Sequence, residues 1–473
     1  MELLKAIDLQ FNSKPIMEAW LGSTFLWGRG VIWTGLGSDN NWSTTANWYN
    51  STVPPTFASI QFTGTNRLTA NNDFSIDRPV NNITFNPSAG SFTLSGNRFI
   101  LNSGTIANNS INTQTINSDI KLGTGVNYIN SNTGNMTFNG LLSGNASISK
   151  IGSGQVNLSV ARSIFTGSVT VSGGTLQFDN LTTNGGGDLS GPSPTVYNLN
   201  NNGVSLNLNT GIFGSGNRIA FTAKTINFSS LGSQTVNLTG NVLCNGSTFK
   251  TNGGATNYIS GPQIPGSNYF NAQFSTITYN VADGTDDVDL EVSANMHFQC
   301  PVKTGAGKLS IVAPYATNMS GPLTISAGTF DVAGSCSIPV NASNNPPNNT
   351  IVNNGTFSYS SSVNSNCSNY TINGTGNLIK SGTSILTLSS DKCTYAGFTL
   401  ITSGSIITTK STATATLTPT TLTVTFSTPP NIGDSFKFFT GSTVQTYASV
   451  SLIGAPGRTA SYDSPTSTLS IIS

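Results

Sequence analysis

Residues 150–160 read K-I-G-S-G-Q-V-N-L-S-V, and residues 165–178 read F-T-G-S-V-T-V-S-G-G-T-L-Q-F. Apolar residues alternate there with Gln, Asn, Ser and Thr, the period of a strand that turns one face to a core. The pattern returns twice. Lys303 opens K-T-G-A-G-K-L-S-I-V, followed from Met319 by M-S-G-P-L-T-I-S-A-G-T-F-D-V. Lys380 opens K-S-G-T-S-I-L-T-L-S-S, followed from Tyr395 by Y-A-G-F-T-L-I-T-S-G-S-I-I. The landmark glycines pair as Gly167 and Gly174, Gly321 and Gly328, Gly397 and Gly404, with the same interval in each pair. Each copy therefore reads as strands joined at corners, where glycine serves a positive φ or a close backbone approach. One such coil cannot bury its inner face alone, so coils must stack.

The same short alternating runs fill the chain from about residue 60 to 420, for example S-I-Q-F, N-I-T-F and L-T-V-T-F. At about 20–25 residues per coil that span holds on the order of 15 coils. The expected fold is all-β, a parallel β-helix. Asn, Ser, Thr and Gly supply the polar surface, and these residues favour turns and strands over helices. Stacked coils also align Asn side chains into hydrogen-bonded ladders.

Composition narrows the function. Of 473 residues only 8% are charged and the net charge is +1, which offers no electrostatic footprint for nucleic acid. Hydrophobic residues make up 36%, including 25 Phe, enough for a core. No run is long and apolar enough for membrane insertion as a helix. The five cysteines, Cys244, Cys300, Cys336, Cys367 and Cys393, are odd in number and form no C-x-x-C pair. Buried free thiols are expected, with no zinc site and no cofactor.

One polar stretch carries three tryptophans. Residues 33–48 read W-T-G-L-G-S-D-N-N-W-S-T-T-A-N-W, with V-P-P at 53–55 and A-S-I-Q-F at 58–62. This resembles the start of autotransporter-associated β-strand repeats, and the three K…G…G units extend the resemblance over roughly residues 31–440. It implies a right-handed parallel β-helix of the passenger type and says little about activity, because one architecture serves adhesins, spikes and enzymes. Trp33, Trp42 and Trp48 are expected to plug the open first coil as an N-terminal cap. A sugar-stacking role for these rings is the alternative.

Two features depart from that family. The opening M-E-L-L-K-A-I-D-L-Q-F carries Glu2 and Asp8 where a secretory signal needs cations and an apolar run. No membrane barrel is expected in this sequence; its Ser/Thr-rich last segment reads as a small C-terminal β cap. Residues 16–28, I-M-E-A-W-L-G-S-T-F-L-W-G, resemble a segment of tailed-phage virion proteins, carried by Trp20, Leu21, Gly22, Leu26 and Trp27. The expected organisation is a virion-anchoring segment at 1–30, a Trp-rich cap at 31–62, the β-helix at 63–417 and the C-terminal cap at 418–473.

Catalytic signals are sparse. The one histidine, His297, lies in a strand-like run, and no G-x-S-x-G elbow is present. The densest acidic cluster is Asp283, Asp286, Asp287, Asp289 and Glu291. It reads as a solvated turn, with calcium binding or glycan cleavage as alternatives. The leading expectation is a non-enzymatic phage fibre or spike. It would dock to other virion proteins through residues 1–30, bind a host-surface glycan or protein, and be compatible with a homotrimer. The alternatives are a bacterial autotransporter-like adhesin and a glycan-depolymerising tailspike.

Overall fold

The computed structural model describes residues 31–158, 276–293, 301–312, 322–338, 350–410, 412–443 and 447–473 continuously, with shorter pieces, mostly single strands, at 10–28, 164–271 and 296–297. It divides into two compact units, Met1–Ile219 and Ala220–Ser473. Both are built from short strands stacked in parallel, and the described helices are single 3-10 turns such as Thr45–Asn47 and Ser390–Lys392.

In the first unit, parallel pairing runs from Val31–Trp33 to Ala58–Phe62, then to Arg78–Phe85 and Phe99–Asn108. The register puts Ile60, Ile83, Ile106 and Ile129 one above another. The first three are about 1% exposed or less. A second sheet stacks Ala70, Leu94, Ile116, Phe138 and Leu158 in the same way. Alternate residues thus line a core between sheets, as the two-residue period requires. Successive partners in these two columns are 20 to 24 residues apart, from Phe138 with Leu158 to Ala70 with Leu94.

The second unit repeats the plan with longer excursions. Ile259, Val292, Ile311, Val332 and Tyr359 form one inward column. The step from Ile325 to its partner Asn353 is 28 residues (353 − 325), so turns absorb insertions while the strands keep register.

Among the described residues, parallel stacking already includes the segment expected as the cap, since Val31–Trp33 pairs in parallel with Ala58–Phe62. Parallel stacking also ends before 417. Ser405–Lys410 pairs antiparallel with Ala413–Leu417, which pairs antiparallel with Thr421–Phe426. The antiparallel pairing of Lys410 with Ala413 shows the chain turned back on itself before Pro429 and Pro430, the turn signal nearest the expected boundary. Ser449–Ile453 extends this sheet, and Ser435–Lys437, Ala460–Asp463 and Thr468–Ile471 form a second small sheet. Phe438 and Phe439 are buried here, with the Phe439 ring 6.3 Å from that of Tyr395.

Asn ladders form as stacking demands. Asn71 donates to Asn41 at 2.8 Å, Asn132 to Asn109 at 2.5 Å and Asn139 to Asn117 at 2.9 Å, each pair joining adjacent coils.

Candidate functional site

The repeat's lysine is its most unusual residue. Lys150 stands in the inward column directly after Ile129 and before Val171, and it is fully buried. Lys303 likewise lies between Tyr279 and Ile325, and Lys380 between Tyr359 and Ile401. Both are 0% exposed. A buried ammonium must be hydrogen-bonded to be tolerated. Lys150 Nζ donates to the carbonyls of Ile151, Gly152 and Gly173 at 3.1, 2.8 and 2.8 Å. Lys303 Nζ donates to Thr304, Gly305 and Ala327 at 2.8, 2.8 and 3.2 Å. Lys380 Nζ donates to Ser381 and Gly382 at 2.5 and 2.9 Å. Burial lowers all three ammonium groups from 10.5 to about 8, which leaves them protonated at neutral pH.

The glycines explain the spacing. Gly152, Gly305 and Gly382, two residues after each lysine, have φ of 79°, 77° and 72°. Their carbonyls turn toward the ammonium. Gly174, Gly328 and Gly404 also have positive φ. A Cβ on Gly404 would come within 2.8 Å of Lys380 Nζ. The earlier landmark glycines serve close approach instead. A Cβ on Gly167 would meet the Ala146 carbonyl oxygen at 2.1 Å, and one on Gly397 the Gly376 oxygen at 2.2 Å. Gly321 lies outside the described residues. Each copy is thus a corner clamp: Lys150 and Lys303 join the turn of their own coil to the next through Gly173 and Ala327, and Lys380 holds the turn of its own coil. In the sequence these lysines stand out only as landmarks of the repeat. The signal that would have found them was the alternation itself, which places Lys150 on the apolar side of S-I-S-K-I.

The clamp is not tied to one face. Within the second unit, Lys303 lies in the sheet of Pro301–Thr304 and Leu323–Ile325, whereas Lys380 lies in the sheet of Thr356–Tyr359 and Asn377–Lys380.

Trp33, Trp42 and Trp48 are at most 2% exposed. Trp48 meets Trp33 edge to face at 5.0 Å and Trp42 at 6.2 Å, and all three rings lie within 6.5 Å of Phe62. Trp48 Nε1 donates to the Trp42 carbonyl at 2.6 Å. Asn47, fully buried, accepts from Gly37 N and donates to the carbonyls of Asp39 and Asn41. Burial leaves no ring face open for a sugar to stack on, which removes the sugar-binding alternative for this trio.

The acidic cluster is occupied by its own protein. Asp289 accepts from Gly284 N at 2.6 Å and Lys308 N at 2.7 Å. Asp286 accepts from Thr256 N and Oγ1, and Asp287 pairs with Lys308 Nζ at 3.0 Å. Among the described residues no group of His, Cys, Asp and Glu is arranged to hold a metal ion. His297 lies in the short strand Met296–His297.

Of the expected anchoring residues, Trp20 and Leu21 fall in Glu18–Leu21, and Leu26 and Trp27 in Thr24–Gly28, an antiparallel pair. Gly22 lies outside the described residues.

Cys336, Cys367 and Cys393 are free and at most 1% exposed, while Cys244 and Cys300 lie outside the described residues. Burial pushes the Cys336 and Cys393 thiols up to about 12 and Cys367 higher still, so the thiolate nucleophile is absent at neutral pH. Iodoacetamide on the native protein should leave these three unmodified and label all three in guanidinium. Peptide mapping that finds any of them labelled in the native state would contradict the burial.

Comparison with known families places the repeat. The passenger-associated-transport-repeat model matches residues 148–178, 302–332 and 378–407, the three segments that hold the lysine clamps. No curated protein and no solved structure matches the chain. The matches identify passenger-type β-helix repeats, which point to a secreted or cell-surface setting. They lend no support to the virion reading and fit the adhesin alternative better.

Proposed function

We propose that this chain is a passenger-type β-helix displayed at a bacterial cell surface, where it acts as an adhesin without catalysis. The observation that carries this reading is the coincidence of the three passenger-repeat matches with the three buried lysine clamps. A stacked scaffold held by internal clamps and Asn ladders suits a protein that must persist outside the cell. The non-catalytic part is supported by the acidic cluster, whose Asp286, Asp287 and Asp289 are engaged by neighbouring groups. The partner would be a surface glycan or protein met through uncharged side chains, since so little charge is available.

Gold-labelled antibody against the chain, applied to intact cells that carry its gene and to phage purified from them, tests the reading. Label on the outer surface of intact cells, removed by added protease, is the expected result. Label confined to phage particles would overturn it.

A further inference from the structure

Five neighbouring strands of the second unit share one outward face: Ile385–Ser389, Ser405–Lys410, Ala413–Leu417, Thr421–Phe426 and Ser449–Ile453. Alternation sends Leu386, Ile406, Ala415, Leu417, Leu422 and Val424 inward, all fully buried. The outward positions fall into register. One row runs Thr387, Ile407, Thr416, Thr423, Ser451. The next runs Ser389, Thr409, Thr414, Thr425, Ile453. Both rows consist only of Ser, Thr and Ile. Lys410, which follows Thr409 on its strand, is paired with Asp391 at 2.5 Å.

This face has two properties that general strand patterning does not require. It is free of charge and of aromatic rings, and its threonine hydroxyls are unspent. Those of Thr387, Thr409, Thr414, Thr416, Thr423 and Thr425 have no hydrogen-bond partner among the described residues. Threonines elsewhere in the same sheet do find partners, as Thr418 Oγ1 does with Thr421 Oγ1 at 2.7 Å. Each unspent threonine presents a methyl group beside a hydroxyl, at spacings set by the sheet.

Strands lie about 4.8 Å apart, and same-face residues along a strand about 6.7 Å apart. Tetrahedral water joined by O–H···O bonds of about 2.75 Å has second-neighbour oxygens about 4.5 Å apart and a layer repeat of about 7.3 Å. The two grids agree within about a tenth in each direction. Methyl groups order the water between them, hydroxyls anchor it, and no charge imposes a competing hydration shell.

We propose that this five-stranded Ser/Thr/Ile face binds the crystal surface of ice. A neutral polysaccharide is the less suited occupant, because the face lacks the aromatic platform on which a sugar ring stacks. The inference stands apart from the adhesin reading, since it concerns the purified chain and not its cellular location.

The test is grain growth in a thin polycrystalline ice film containing the full chain, compared with Thr416→Lys/Thr423→Lys and Thr416→Val/Thr423→Val. These residues point to solvent, so the melting curves of all three proteins should overlay. Wild type should arrest grain growth, the lysine pair should lose the effect, and the valine pair, which keeps the methyl groups, should retain part of it. Ice grains that coarsen with wild type as they do with albumin would overturn the proposal whatever the variants do. So would full arrest by the lysine pair, or retention on cellulose without any effect on ice.

Discussion

Replacing Trp48 by alanine is expected to destabilise the first unit by about 3–5 kcal/mol, the range for deleting a large buried aromatic side chain. Trp48 sits between Trp33 and Trp42 and contacts both edge to face, so its loss removes two aromatic pairs at once. It also removes the indole donor to the Trp42 carbonyl. The void left lies against Phe62, which itself stacks on Phe85 at 5.3 Å, so loosening should pass into the next coil. Thermal melting followed by tryptophan fluorescence and by circular dichroism would read this. The variant should lose cooperativity, with the fluorescence transition preceding the β signal. A melting curve superimposable on wild type would show that the tryptophans do not close the first coil.

Lys303→Met should cost the second unit about 2–4 kcal/mol, because buried carbonyls left without a donor each cost roughly 1–3 kcal/mol. Methionine keeps the unbranched stem and its packing, so the change isolates the ammonium. The Thr304 carbonyl still accepts from Val281 N, which leaves the Gly305 and Ala327 carbonyls as the main losers. A variant as stable as wild type would mean that the ammonium only offsets its own desolvation.

The same lysines set a pH dependence. Their folded value is about 8 against 10.5 in the unfolded chain. Above pH 8 the unfolded state holds protons that the folded state has released, so their contribution to stability grows with pH. The cysteines act in the opposite sense. Their folded values are raised from 9.0, so above pH 9 the unfolded thiols ionise first and stability falls. The melting temperature should therefore rise from pH 8 to 9 and turn over beyond it. Lys303→Met should show a shallower rise, and an unchanged slope would count against the clamp.

The alternating runs and glycine intervals were enough to predict stacked parallel strands, because a two-residue period and a positive-φ corner are local properties. Burial of Trp33, Trp42 and Trp48 was also foreseeable, since large aromatics in a turn-rich stretch need somewhere to pack. What the tertiary structure alone decided is register. Lys150 faces inward because it stands over Ile129, 21 residues earlier, and no local rule fixes a pairing across that distance. The same holds for Lys380, which lies on a different sheet from Lys303 despite a nearly identical motif. The change to antiparallel pairing between Ser405–Lys410 and Ala413–Leu417 was hidden because Ala413–Leu417 alternates as any parallel strand would, and strand direction leaves no mark on a two-residue period. The outward Thr and Ile rows arise in the same way: alternation names the residues on each strand, and only non-local hydrogen bonding lines one strand up with the next.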